Sequence, residues 1–487
     1  EAEAGVDNTA INTPLRTTQQ VDARLASVET PDSDETKLST PADVVRRVTK
    51  ATTFFEPGAV EDVRARTIDD KIKDGAVSLA GYFLPIDIDY TNALKRALTA
   101  SRSVQVPRGT FDISPQELNG LSGEIIGVSK RGSVLRWRVD DASKSLIKVT
   151  GLNVDMAFRN LTIDGRHSVI GDTPGYYAAI DFQAGGNSRL ELDGVSFKDG
   201  RVLDVRVSGP TDVYHTEFQM IGCTFEDGMV GTASRAAACV QCQDRVHATW
   251  LGNDASLPAL PVVYGRAGFL FQRATGSPTT SYGTLVANSN RFRNLGRGDA
   301  DTLGCIDVYS GANAVVINGN VAEHIRGRAY SVKGDQSSIQ ITNNVVRDCV
   351  GPAAATTPIV LFQDLFDTEA DRGLIMMGNI VDGSTGYGFF IDGEGGAGLA
   401  RFNSAIVSKN IALNCALDGI RARYIAKIVV KGNIVDQCGG NGISVIDVDD
   451  WAVVNDNQIS NCGAHGIEFS NANTDADLVA RQNVIRT

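Results

Sequence analysis

The chain has 487 residues, more than one globular core usually supports, so it needs either several domains or a repeat that grows by stacking. Lys plus Arg total 46 and Asp plus Glu 58; the net charge of −12 argues against nucleic acid or an anionic membrane as partner. No apolar run reaches transmembrane length, and 50 glycines suit a fold rich in tight turns.

The opening EAEA (residues 1–4) is similar to the remnant of a yeast secretion leader and is set aside. Residues 1–64 read as a polar arm or linker, and 65–120 as a neck with a capping helix. The helix is predicted over Asp89–Ala100 (DYTNALKRALTA), with Ala93, Leu94, Ala97 and Leu98 on one face. VQVPRGTFDI then gives a strand, a turn and a second strand. A solenoid needs a cover for the open end of its core, and an amphipathic helix supplies one.

From residue 121 onward the chain reads as coils. The clearest copies are VVINGNVAEHI, IQITNNVVRDC, LIMMGNIVDGS, AIVSKNIALNC, IVVKGNIVDQC, AVVNDNQISNC and LVARQNVIRT. Their asparagines are Asn320, Asn344, Asn379, Asn410, Asn433, Asn457 and Asn483, at steps of 24, 35, 31, 23, 24 and 26 residues. The period is short and the alternation is period two, which indicates strands. With a second strand after most copies (CIDVYSG, AYSVKGD, GFFIDGE, GIRARYI), the pattern predicts a parallel β-helix, an all-β solenoid. Earlier coils place Leu161, Val195, Cys223 and Asn290 at the asparagine position, with Ile163, Phe197, Phe225 and Phe292 pointing inward. Residues 244–267 fit no coil and read as an insertion walling a groove. Cys349, Cys415, Cys438 and Cys462 each follow a ladder asparagine by five residues and read as buried thiols in one column. The Cys239–Cys242 pair lies in a strand, where residues three apart face opposite ways, so no metal is assigned to it.

The run DYTNALKRAL…VQVPRGTFDI…LNGLSGEIIGVSKRGSVLRW resembles the opening of the pectate-lyase-like β-helix of phage tailspikes and exopolysaccharide depolymerases. The resemblance covers roughly residues 65–487. It implies a right-handed parallel β-helix, action on a polysaccharide, a place outside the cell or on a virion, and a homotrimer, with a monomer as the alternative.

The candidate chemistry lies on the second strand of each coil, where alternate residues are expected to face solvent: Asp181 and Gln183, Asp204 and Arg206, Asp307 and Tyr309, Ser331 and Lys333, Phe390 and Asp392, Arg421 and Arg423, and Glu468. Carboxylates bond sugar hydroxyls and aromatic faces take the apolar side of a pyranose. Asp299, Asp301, Asp307 and Asp204 are the catalytic candidates, because glycoside hydrolysis needs two carboxyl groups about 5–9.5 Å apart. Asp204 and Asp307 read as two coils apart. Tyr309, Lys333, Asp392, Glu394, Arg421, Arg423 and Arg328 are the expected substrate-binding residues. The same cations and Tyr309 would serve a lyase acting by β-elimination on a uronic acid, and a non-enzymatic carbohydrate-binding spike is the third reading. No cofactor is required. The acid-rich Asp392–Gly396 and Asp447–Asp450 are candidate Ca²⁺ ligands without EF-hand spacing.

Overall fold

The structure is a computed structural model. It describes residues 76–486 apart from 139–143, 167–176, 201, 210–213, 229–236, 259–265, 273–282, 297–303, 310–311, 334–335, 352–356, 363–372, 394–401 and 471–475. The 1–64 arm and the start of the neck lie outside the described residues.

Each coil lays down three strands. In the coil around Asn320, Ala312–Asn318 leads into the asparagine, Val321–Arg326 follows it, and Tyr330–Lys333 comes after the next turn. Every strand pairs in parallel with its counterparts one coil away, for example Val315↔Ile339, Val321↔Val345 and Ile306↔Tyr330. Stacking these coils builds three walls. The second wall is a 14-stranded sheet from Gly109–Ile113 to Val484–Arg486. The first and third walls are joined into one 26-stranded sheet, because Ile420–Lys431 and Ile443–Asn455 run unbroken from the third wall to the first. Those long strands turn the corner at Tyr424 and Asp447, both in the left-handed region at φ 56° and 52°.

The bend between the first and second walls has one backbone solution. The residue before the ladder position has positive φ in every coil from Asn160 to Gln482, and Gly194, Gly222, Gly252, Gly319, Gly378 and Gly432 fill half of these sites. Glycine adopts that conformation without steric cost.

Inside the bend the asparagines form a continuous ladder. From Asn290 onward each side-chain oxygen accepts both the backbone N–H and the side-chain N–H of the preceding ladder asparagine, while that of Asn253 accepts the Cys223 N–H at 2.9 Å. Asn344 donates to Asn379 at 3.0 and 2.9 Å, and Asn379 to Asn410 at 3.0 and 2.9 Å. The second amide hydrogen goes to a first-wall carbonyl, as from Asn379 to Ile341 at 2.8 Å. Asn253, Asn290 and Asn320 through Asn457 are all buried.

Leu161, Val195 and Cys223 continue this column as apolar residues, as the pattern predicts. Ile163, Phe197, Phe225 and Phe292 point into the core, with Phe197 and Phe225 stacked at 5.0 Å. Cys349 and Cys415 share one column through Ser384, and all eight cysteines are free. At the N-terminal end a helix, α1, runs from Thr91 to Ala100, two residues later than expected. Asp89 precedes it and accepts the Thr91 N–H at 2.9 Å. Its apolar face, Ala93, Leu94, Ala97 and Leu98, is buried over the first coils.

One expectation fails. Residues 244–267 are no insertion: Val246–Leu251 and Asp254–Ser256 are first- and second-wall strands, with Asn253 in the ladder between them. A full coil therefore lies between Cys223 and Asn290.

Candidate active site

The third wall carries the candidate residues, and its register decides which of them meet. Its outward side has two columns. One runs Lys148, Asp181, Arg206, Gln241, Leu270, Asp307, Ser331, Val360, Phe390, Arg421. The other sets Gln272 beside Tyr309, Tyr309 beside Lys333, and Asp392 beside Arg423. Asp307 and Tyr309 thus lie next to Ser331 and Lys333, as the sequence pattern requires. The first column is less exposed than expected: Asp181, Gln241, Leu270, Asp307, Ser331 and Val360 are all buried.

Asp307 is the focus. It is 3% exposed, and its Oδ1 has no hydrogen-bond partner among the described residues. Burial pushes its carboxyl above the ordinary range, while Lys333, Arg328 and the Ser331 hydroxyl pull it partway back. Arg328 is shifted down by its own burial, and the Asp307 charge opposes that shift. The Lys333 ammonium sits 5.5 Å from the centroid of the Tyr309 ring, which is 49% exposed. The arrangement is an acid kept protonated to higher pH than an ordinary aspartate, flanked by two cations and an open aromatic face.

Further along the wall Tyr387 and Phe390 stack at 5.1 Å. Arg421 lies over Tyr387 at 5.3 Å and donates to its hydroxyl at 3.2 Å. Arg423 covers Phe390 and Tyr424 at 5.4 and 5.3 Å. This makes an aromatic and guanidinium platform suited to a sugar ring face. Tyr387 was not among the expected residues, although its place in GYGFFID, beside an outward Phe390, marks it in the sequence.

Several expectations are corrected. Asp204 does not face solvent. It is 1% exposed and ion-paired to the buried Arg266 at 2.6 Å, and burial pushes its carboxyl up to about 6 against the pull of that arginine. Gly200 and Gly228 make the room: a Cβ on Gly228 would stand 1.4 Å from Arg266 Nη1. Asp204 and Asp307 also lie three coils apart, because strands Ala237–Gln243 and Arg266–Gln272 intervene. At about 4.8 Å per coil that is roughly 14 Å, beyond either glycosidase geometry. Asp392 is buried, and Arg423 takes both its oxygens at 2.9 and 2.7 Å, so it supports that arginine and is not presented to sugar hydroxyls or Ca²⁺. Asp299, Asp301 and Glu394 lie outside the described residues. Among the described residues no group of three His, Cys, Asp or Glu side chains is arranged to hold a metal ion.

Comparison with known proteins agrees with the architecture. Residues 390–485 match the family described as right handed beta helix region, and the fold is a right-handed parallel β-helix. No curated protein matches the chain. Solved structures with a similar path include the catalytic domain of GH87 alpha-1,3-glucanase in complex with nigerose, at 12% identity and TM-score 0.43 over 78% of this chain. This chain spans 66% of that domain's length. Tailspike protein 3 of bacteriophage CBA120 matches at 13% identity and TM-score 0.35, over 91% of this chain and 69% of its own. The mannuronan C-5 epimerase AlgE6 A-module of Azotobacter vinelandii matches at 12% identity and TM-score 0.32, over 84% of this chain and 99% of its own. Among the described residues no helix is long and apolar enough to cross a membrane.

Proposed function

We propose that the chain is an endo-acting glycoside hydrolase that depolymerises a bacterial exopolysaccharide or capsule, with Asp307 as general acid. The observation that carries this is the buried Asp307 carboxyl on the outer side of the third wall, its Oδ1 without a hydrogen-bond partner among the described residues. Protonated, it donates to the glycosidic oxygen as the bond to the anomeric carbon breaks. Asp301 and Asp299, six and eight residues upstream in the sequence, are the proposed second carboxyl group. The Tyr309 face stacks a sugar ring at the cut, and the Tyr387–Arg421 platform stacks another further along the sugar chain. The enzyme works outside the cell or on a virion, as a homotrimer or a monomer.

Arg328 and Lys333 beside Tyr309 favour one second reading, β-elimination from a uronic acid. There the cations neutralise the sugar carboxylate and Tyr309 handles the proton. The test is digestion of a panel of bacterial exopolysaccharides by the wild type and by Asp307→Asn, following reducing ends and absorbance near 235 nm. New reducing ends without that absorbance, lost in Asp307→Asn with the circular dichroism spectrum retained, are expected. Wild-type turnover by Asp307→Asn removes Asp307 from the chemistry, and a rising absorbance replaces hydrolysis by elimination.

A further inference from the structure

A second site lies at the N-terminal end of the same wall. Helix α1, strand Gln116–Asn119 and strand Ile147–Thr150 border a cleft of about 710 Å³. Its lining includes Lys95 from the helix, Gln116 and Lys148 from the two strands, and Tyr177. Counting paired strands from Lys148 through Asp181, Arg206, Gln241 and Leu270 to Asp307 gives five steps, about 24 Å at the usual strand spacing. The cleft is therefore separate from the Asp307 cluster and on the same face.

Its charges are unevenly matched. Asp181 is saturated: Arg206 donates to its two oxygens at 2.9 and 2.5 Å, Ser145 at 3.0 Å and Gln183 at 3.0 Å. Lys95 and Lys148 form no ion pair among the described residues. The Gln116 amide, on a residue only 6% exposed, has a hydrogen-bond partner for neither its nitrogen nor its oxygen among the described residues. Buried amides are nearly always paired, so an amide lining a cleft with donor and acceptor both open points to a bound polar group. With Asp181 taken up by Arg206, the lining sets Lys95, Lys144 and Lys148 against the single carboxylate of Glu117, which lies beside Lys148 in register. This surplus of positive charge in a protein of net charge −12, together with the Gln116 amide and the Tyr177 ring, selects an anionic ligand with hydroxyls and an apolar face.

We infer that this cleft binds a carboxylate-bearing sugar residue of an acidic polysaccharide, as an anchoring subsite remote from the cut. The lysines take the carboxylate, the Gln116 amide bonds neighbouring hydroxyls, and Tyr177 takes the ring face. This rests on the functional reading only in taking the ligand to be a sugar chain; it adds the charge of that chain.

The test is calorimetric titration with galacturonate, glucuronate and mannuronate tetramers, and with their carboxyl-reduced neutral forms. Saturable binding of at least one acidic tetramer is expected. It should weaken about tenfold in Lys148→Gln and in Lys95→Gln, each losing one charge-assisted hydrogen bond. It should also weaken with added salt and persist in Asp307→Asn. Equal binding of the neutral form, indifference to both lysine substitutions, or no binding of any acidic tetramer overturns the inference. Competition by inorganic phosphate at the tetramer's own affinity does so too, because it would mark an unselective anion site. Binding with no cleavage of any polysaccharide would leave this site standing and remove only the catalytic proposal. Cleavage confined to neutral chains would do the reverse.

Discussion

Lys333 and Arg328 hold the Asp307 carboxyl below the value that burial alone would set. A general acid works only while protonated, so activity falls as pH rises through its raised pKa. Removing a nearby cation makes the carboxylate less favourable and raises that pKa further. Lys333→Gln should therefore move the alkaline limb of kcat/KM upward, by up to about one pH unit. A limb that stays put or moves down would show that Lys333 does not act on Asp307. Stability carries the same sign. A carboxyl raised above the ordinary aspartate value of 3.8 contributes fully below that value and loses its contribution as pH rises through the folded value. The outward position of Asp307 beside Tyr309 was legible in the alternation of CIDVYSG. The burial of Asp204 was not, because it depends on Arg266 two coils away and on the space left by Gly200 and Gly228.

At the scale of the element, the asparagine ladder ties each wall bend to the next. Asn379→Ala would remove the acceptor used by the Asn344 backbone and side-chain N–H groups, and the donor to Ile341 and Asn410. Leaving such buried groups without partners should cost about 3 kcal/mol, read as a lower denaturant midpoint. Asn483, only part-buried at the last bend, should cost about 1 kcal/mol on the same substitution. Equal losses at the two sites would mean that burial does not set the ladder's worth. Most of the ladder could be read from sequence because the phrase places apolar pairs after the asparagine. Asn253 escaped because Asp254–Ser256 offers only Ala255 to the core, so the phrase loses its apolar pair. The cysteine column was legible because each of Cys349, Cys415, Cys438 and Cys462 stands five residues after a ladder asparagine, although Cys462, in the last of these coils, is only half-buried.

For the whole molecule, a stack of in-register coils turns residues far apart in sequence into one long surface. The third wall sets the anionic-sugar cleft, the Asp307 cluster and the Tyr387–Arg421 platform along a single face, in that order. Such a face suits an extended chain bound at several points, and binding remote from the cut can position the scissile bond. The fold was evident from the period of the repeat. The order of sites was not, because one unrecognised coil displaced every distance measured across it.

The central claim is that this face hydrolyses a polysaccharide through Asp307. Its most direct test is digestion in H₂¹⁸O of an exopolysaccharide that the wild type cleaves, with products resolved by mass. Each cut should carry one labelled oxygen at the new reducing end, and Asp307→Asn should yield no such products. Unlabelled, unsaturated ends, or labelled products released by Asp307→Asn at the wild-type rate, would contradict it.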